Sequence, residues 1–217
     1  VPDEPTIASL RGGGPSAFRQ SDRHARYAAI ADELATRGLV YPCDCTRSTF
    51  ADWADRSGRA WSGPGCPGGC ARRGLDRSSG AVLRVSLGSG DEPWDDLVLG
   101  PQLGTIALAG DLPIRDRNGN WTYGFCVVVD DLDHGIDLVV RGEDLLDATP
   151  AQVCLGRLLG RAAPPLFLHH PLVRRPDGRK LSKADGATAV REILAGGVTA
   201  VEVRARAAAA IGLGGAD

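Results

Sequence analysis

The sequence predicts an α/β fold, and three observations carry it. Stretches with strand pattern (residues 81–87, 136–141 and 166–168) are interleaved with stretches of helical period (21–37 and 149–159). A central segment, residues 56–80, is dense in Gly, Pro, Arg and Ser and has too little apolar content to bury a core of its own. That segment nevertheless carries Cys66 and Cys70. Something other than apolar packing must hold it.

Residues 1–20 carry Pro, Gly and Ser without periodicity and are expected to be irregular. Ser21 or Asp22 is expected to cap a helix whose Tyr27, Ile30, Ala31 and Leu34 form one apolar stripe at i, i+3, i+4 and i+7. Gly38 ends it in the usual C-terminal position. Leu39, Val40 and Tyr41 form a short strand that leads into the first cysteines. In residues 81–87, Leu83, Val85 and Leu87 fall on one face and Arg84 and Ser86 on the other, a half-buried strand. Residues 88–100 read as loop and 105–108 as strand. Residues 114–121 have Asn118-Gly119 at their centre, a strong hairpin signal. The apolar run 123–129 cannot be assigned by period. Residues 136–141 read as a buried strand ending in a charge, central in its sheet and covered by the helix that starts at Pro150. Thr149-Pro150 is an N-cap with proline at the first helical position, and Gly160 ends that helix. Residues 188–194 and 200–211 are helical.

Composition bounds the function. The chain has 217 residues with 43% hydrophobic and 24% charged side chains, the profile of an ordinary globular protein. A net charge of −2 argues against a protein that coats nucleic acid non-specifically, while local basic patches stay open. No apolar run approaches membrane-spanning length. Cys126 and Cys154 stand alone in apolar runs and are expected to be small buried hydrophobes.

The other four cysteines form two close pairs, Cys43-Asp44-Cys45 and Cys66-Pro67-Gly68-Gly69-Cys70. Four thiolates across a loop without apolar content match a closed tetrahedral zinc site. Zinc–thiolate bonds would supply the folding free energy the segment lacks. The role is structural, because four protein ligands leave no open position for water. Two disulfides or four free thiols are the alternatives.

Two further clusters carry chemistry. Arg141 ends a strand, where open α/β sheets bind ligands, and its planar fork suits a carboxylate. A pair with Glu143 or Asp144 is the alternative. Tyr123 precedes the apolar run and is either a ligand group or a core aromatic. Between Arg174 and Lys183 lie five basic residues and one acidic one, ending Lys180-Leu181-Ser182-Lys183. Two lysines around a serine on a turn suit a transferring triphosphate. A solvated basic turn is the alternative.

Several stretches together, FRQSDRHARYAAI, VYPCDCTR, WTYGFCVVVDDLDHGIDLVVRGEDLLDATPAQ and HHPLVRRPDGRKLSK, resemble the glutamyl-Q tRNA(Asp) synthetases of the class I glutamyl-tRNA synthetase-like family. The resemblance implies a partial Rossmann-type nucleotide-binding catalytic domain with a zinc-bearing insertion. Residues 1–39 would be a remnant of its first half, 40–115 the zinc-bearing region and 116–217 the second half with the KLSK loop. Tyr123 and Arg141 would bind glutamate. Lys180, Leu181, Ser182 and Lys183 would bind ATP, accompanied by Mg2+, with Lys183 acting in the chemistry. Cys43, Cys45, Cys66 and Cys70 would hold structural Zn2+. The implied reaction activates glutamate with ATP and transfers the glutamyl group to queuosine in the anticodon of tRNA-Asp, by a monomer in the cytoplasm. The family's Arg-x-x-Pro-Ser strand and His-Ile-Gly-His-like element have no counterpart here. The four histidines are His24, His134, His169 and His170, and the chain begins Val1-Pro2-Asp3 without Met. The expectation is an N-terminally incomplete chain that does not activate glutamate alone. A fragment of a glutamyl-tRNA synthetase, or a non-catalytic zinc-stabilised module binding RNA through Arg72, Arg73, Arg77 and the basic loop, are the alternative readings.

Overall fold

The structure, a computed structural model, describes residues 14–58, 66, 69–76, 81–174, 179 and 189–210. Helix α1 (His24–Thr36) buries Tyr27, Ile30, Ala31 and Leu34, the stripe read from the sequence. Its start differs from expectation. A 3-10 turn at Gln20–Asp22 precedes it and Arg23 occupies the cap without a side-chain hydrogen bond. The Asp22 carboxylate instead accepts from the Ser16 N–H and from Arg19, tying down the entering chain. Gly38 follows at φ +73°, a left-handed conformation that glycine adopts freely.

Strand β1 (Val40–Cys43) leads into helix α2 (Arg47–Ser57), which Thr46 and Thr49 close with a capping box. Strands β2 (Val82–Val85), β3 (Asp91–Asp96) and β4 (Gly100–Thr105), the single-turn helix α3 (Ile106–Ala109) and strand β5 (Leu112–Arg115) follow. Helix α4 (Tyr123–Asp133), strand β6 (Leu138–Gly142), helix α5 (Thr149–Leu158), strand β7 (Leu166–His170) and helices α6 (Val190–Ala195) and α7 (Ala200–Ala210) complete the order. Among the described residues no helix is long and apolar enough to cross a membrane.

The strands form two sheets. One is antiparallel in the order β1-β2-β5, and the other is mixed in the order β4-β3-β7-β6, with β3/β7 and β6/β7 parallel. The main core lies between the first sheet and helices α1, α4 and α5, around Val85, Ile114, Phe125 and Leu155. A second, smaller core of Trp94, Val153 and Phe167 glues α5 to the second sheet. Helices α1 and α4 are also clamped by charge. Arg23 pairs with Asp130 and Asp133, Arg26 pairs with Asp133 at 2.6 Å, and the Tyr27 hydroxyl donates to Asp130 at 2.8 Å.

Five expectations need correction. The segment read as loop holds β3, whose inward residues Glu92, Trp94 and Asp96 are all buried. Its alternation is hidden because two of the three inward side chains are acids, each with a partner in the fold: Arg157 for Glu92 and His169 for Asp96. The strand expected at 105–108 ends at Thr105, and one helical turn follows. Ala148, not Thr149, caps α5, and Thr149 is its first helical residue with no side-chain cap, because its hydroxyl donates to the Leu145 carbonyl and accepts from Arg141. The run left unassigned is helical as α4. Among the described residues strand β6 lies at the sheet's edge, not its centre, with Val140 60% exposed. Its near-continuous apolar sequence is the kind carried by strands covered on both faces, whereas here Leu138 and Val140 are exposed while Val139 packs on the second core.

The β3–β4 hairpin docks on the start of α5 through Gly104. A Cβ there would come within 2.1 Å of Pro150 Cγ and 2.9 Å of Trp94 Cζ3, so only glycine permits the approach. Asn118-Gly119 forms the expected turn, with Gly119 at φ +85° and the Asp116 carboxylate accepting from the N–H groups of Asn118 and Asn120.

Candidate functional site

The structure brings two clusters together. The first is the set of cysteines. Cys43 ends β1, Cys45 lies two residues on, Cys66 bridges to Asp111 through paired backbone hydrogen bonds, and Cys70 opens a 3-10 turn. Their four sulfurs all lie within 4.8 Å of one another. Tetrahedral zinc with bonds of about 2.3 Å places its sulfurs about 3.8 Å apart. The donor set and its spacing therefore fit a metal ion of that kind, and all six cysteines are free of disulfides. Sequence spacing alone had left disulfides open.

Without a cation among them, the sulfurs are held as thiols. The hydrogen bond to Cys66, then burial, push the Cys43 thiol up, while the Arg84 guanidinium pulls the other way. Burial followed by the neighbouring Cys70 pushes Cys45 up as well. Four clustered thiols cannot all ionise without a cation among them. Positive side chains surround the cluster. Arg84, 4% exposed, donates to the Asp111 carbonyl at 3.0 Å and lies over the Phe50 ring. Arg73 pairs with Asp44 at 2.6 Å and lies 3.8 Å from Cys70 Sγ. Arg117 donates to the carbonyls of Asp44 and Cys45, fixing the first knuckle. Buried Asp111, its carboxyl raised by burial, accepts from the Tyr41 hydroxyl at 2.6 Å and the Leu87 N–H at 2.9 Å.

The second cluster is built on Arg141. It sits near the C-terminal end of β6, only 8% exposed, with its guanidinium 4.9 Å from the centre of the Phe167 ring. Its Nε–H donates to His169 Nε2 at 3.0 Å, one terminal nitrogen donates to Gln152 Oε1, and the other donates to Thr149 Oγ1 at 2.7 Å. Neither Glu143 nor Asp144, the alternative partners considered from the sequence, accepts from it. Glu143 takes the Leu172 N–H instead and lies 3.9 Å from Arg174. Burial pulls the Arg141 guanidinium below its ordinary value, with the charges of Asp131 and Asp96 among the opposing effects.

Arg141 lines a cavity of about 190 Å³ between α4, α5 and the second sheet, with Asp131, Gln152, Arg161 and Phe167 among the walls. Burial raises the Asp131 carboxyl, against the pull of Arg161 and Arg141. Tyr123 does not line that cavity. It stands 54% exposed in the first turn of α4. Lys180, Leu181, Ser182 and Lys183 lie outside the described residues.

Sequence reasoning missed Asp96, Thr149, Gln152 and His169 as parts of this cluster. His169 accepts from Arg141 and its Nδ1 meets Asp96 Oδ2 at 2.5 Å, both side chains fully buried. The available signal was His169-His170 within a short strand, a position that polar side chains occupy only when partnered.

The comparisons with known proteins agree with one another. A family profile described as the catalytic domain of class I tRNA synthetases (E and Q) matches residues 14–198. A glutamyl-Q tRNA(Asp) synthetase of Bordetella bronchiseptica is 46% identical over 174 residues, 79% of this chain and 54% of that protein. One from Burkholderia cenocepacia is 39% identical over 194 residues, 88% of this chain and 61% of that protein. One from Nitratidesulfovibrio vulgaris is 36% identical over 200 residues, again 88% and 61%. The chain thus spans 54–61% of the length of these curated relatives. Among solved structures, a glutamate-tRNA synthetase from Elizabethkingia anophelis superimposes with a TM-score of 0.61 at 23% identity, covering 82% of this chain and 39% of that one. That likeness speaks to the fold.

Proposed function

Because this chain belongs to the class I tRNA synthetase (E and Q) catalytic-domain family, we propose that it carries the glutamate-binding half of an enzyme that activates glutamate with ATP and passes the glutamyl group to queuosine in tRNA-Asp. The observation that carries this reading is the state of Arg141. A guanidinium has five N–H donors, and three here are taken by neutral acceptors. One N–H remains on each terminal nitrogen, and among the described residues no carboxylate accepts from either. Two donors on adjacent nitrogens are what a carboxylate clamp requires.

Arg141 binds a carboxylate of glutamate, and Tyr123, at the exposed start of α4, contributes from the open side. The loop Lys180-Leu181-Ser182-Lys183 binds ATP with its Mg2+, and Lys183 meets the charge that builds on the phosphates as the glutamate carboxylate attacks. Cys43, Cys45, Cys66 and Cys70 hold a structural zinc ion, which shapes the segment around them and takes no part in the reaction. The names of the relatives support queuosine-bearing tRNA-Asp as acceptor, and the protein works as a cytoplasmic monomer. Residues 40–115 act as the zinc-bearing region, with residues 116–217 as the second half of the catalytic domain.

The test is glutamate-dependent ATP–pyrophosphate exchange in a protein of the relatives' full length, followed by transfer of labelled glutamate to tRNA-Asp with and without queuosine. Exchange with glutamate, and transfer only to the queuosine form, is the expected result. Exchange with another amino acid, or equal transfer to both tRNAs, contradicts the reading.

A further inference from the structure

We propose that Asp96 and His169 are positioning residues that aim Arg141 at its ligand, through a relay running Asp96–His169–Arg141 across three neighbouring strands. The inference rests on the reading of Arg141 as the glutamate clamp. Asp96 ends β3, His169 lies in β7 and Arg141 in β6, so the relay crosses the sheet at the level where its parallel strands end.

The hydrogen bonds fix the proton's place. Arg141 Nε has only a hydrogen to offer, so His169 Nε2 accepts with its lone pair at 3.0 Å. A proton on Nε2 would set two donors against each other. The ring's hydrogen therefore sits on Nδ1 and is donated to Asp96 Oδ2 at 2.5 Å. Asp96 is itself immobile. One oxygen accepts the N–H groups of Val98 and Leu99, each at 2.9 Å, and the other also accepts the His169 N–H at 3.2 Å. Burial pushes the Asp96 carboxyl up, but these bonds outweigh it and hold the group below its ordinary value. An ionised, fixed acceptor on Nδ1 leaves only the tautomer that can receive Arg141.

The consequence lies in the guanidinium plane. Nε held by His169, with Gln152 and Thr149 on the two terminal nitrogens, leaves the plane no freedom to rotate. The two remaining N–H vectors point in set directions before any ligand arrives, the preorganisation that makes a charged contact selective. The relay thus determines specificity without touching substrate.

Nitrogen-detected NMR of the labelled chain tests the relay, with His169 assigned by its disappearance in His169→Gln. The expected spectrum shows His169 neutral with hydrogen on Nδ1, and Asp96→Asn shifts it toward the other tautomer. A wild-type His169 protonated on Nε2, or an unchanged tautomer in Asp96→Asn, overturns the relay. A second pair of variants serves if Asp96→Asn does not fold. His169→Gln keeps an acceptor for Arg141 and is expected to bind glutamate nearly as well as wild type by calorimetry. His169→Leu removes the acceptor and is expected to weaken binding about tenfold, the scale of one lost buried hydrogen bond. Equal weakening by both overturns the positioning role. The expected tautomers, together with glutamate binding that ignores even Arg141→Lys, uphold the relay and overturn the assignment of Arg141 to glutamate.

Discussion

The cysteine cluster and the Arg141 cluster both gather ionisable groups inside the protein, but they are assembled on different principles. The cysteines come from two knuckles close in sequence, and little apolar core lies behind them beyond Tyr41, Phe50 and Leu75. The Arg141 cluster draws on β3, β6, β7 and α5, and the second core of Trp94, Val153 and Phe167 lies among the same elements. On the proposed reading of a zinc site, the first depends on a bound ion for its order, and the second on the completed fold. Perturbations are therefore expected to separate the two regions.

Metal removal gives the largest expected effect. Structural zinc sites carry apparent binding free energies of about 10 kcal/mol or more, so chelation is expected to release residues 43–75 to hydrogen exchange and proteolysis while β3, β6 and β7 stay protected. Cys43→Ser is expected to abolish stoichiometric zinc, read by metal analysis. Simultaneous loss of protection in both sheets would erase the distinction.

The second region responds to single buried groups. Gln152→Leu keeps the volume but strips an acceptor from Arg141, at an expected cost of about 1–3 kcal/mol in denaturant unfolding. Gly104→Ala forces Pro150 and Trp94 apart, with an expected cost of about 1–3 kcal/mol for overpacking. Both changes are expected to leave zinc content unchanged.

Acid gives a smaller, graded effect on the clamp between α1 and α4. The Arg26 hydrogen bond holds the Asp133 carboxyl below its ordinary value, with Arg23 adding to it against the opposing effect of burial. A depressed carboxylate contributes stability that is fully present above its unfolded pKa of about 4 and is lost as pH falls through the folded value. Hydrogen exchange in α1 is expected to accelerate below about pH 4, and Asp133→Asn is expected to remove that dependence. The smallest effect belongs to Glu33→Ala. The exposed Glu33–Arg37 pair spans 3.7 Å, and Arg37 keeps its bond to the Leu158 carbonyl, so a change within about 0.5 kcal/mol is expected.

The same contrast explains what the sequence disclosed. The stripe on α1 and the Asn118-Gly119 turn are local signals with a single physical reading, and both reappear in the structure, as does the grouping of the four spaced cysteines. The proline near the start of α5 was also legible, but not that Thr149 lies inside the helix with its hydroxyl turned to Arg141. Strand β3 was illegible because Glu92 and Asp96 turn inward toward partners far along the chain. No local pattern announces Arg157 or His169. Arg141 was legible as a ligand group, but its acceptors were not, since Thr149 and Gln152 read simply as helix residues. The edge position of β6 escaped because an apolar strand carries no mark of which neighbour it has.

The central claim is that Arg141 clamps a glutamate carboxylate, and Arg141→Lys tests it most directly. Lysine keeps the charge and loses the fork. In a protein of the relatives' full length, pyrophosphate exchange measured against glutamate and against ATP is predicted to show a higher glutamate half-saturation, by about tenfold for one lost charge-assisted bond, with the ATP dependence changed much less. An equal loss for both substrates would show that Arg141 serves the fold rather than the ligand.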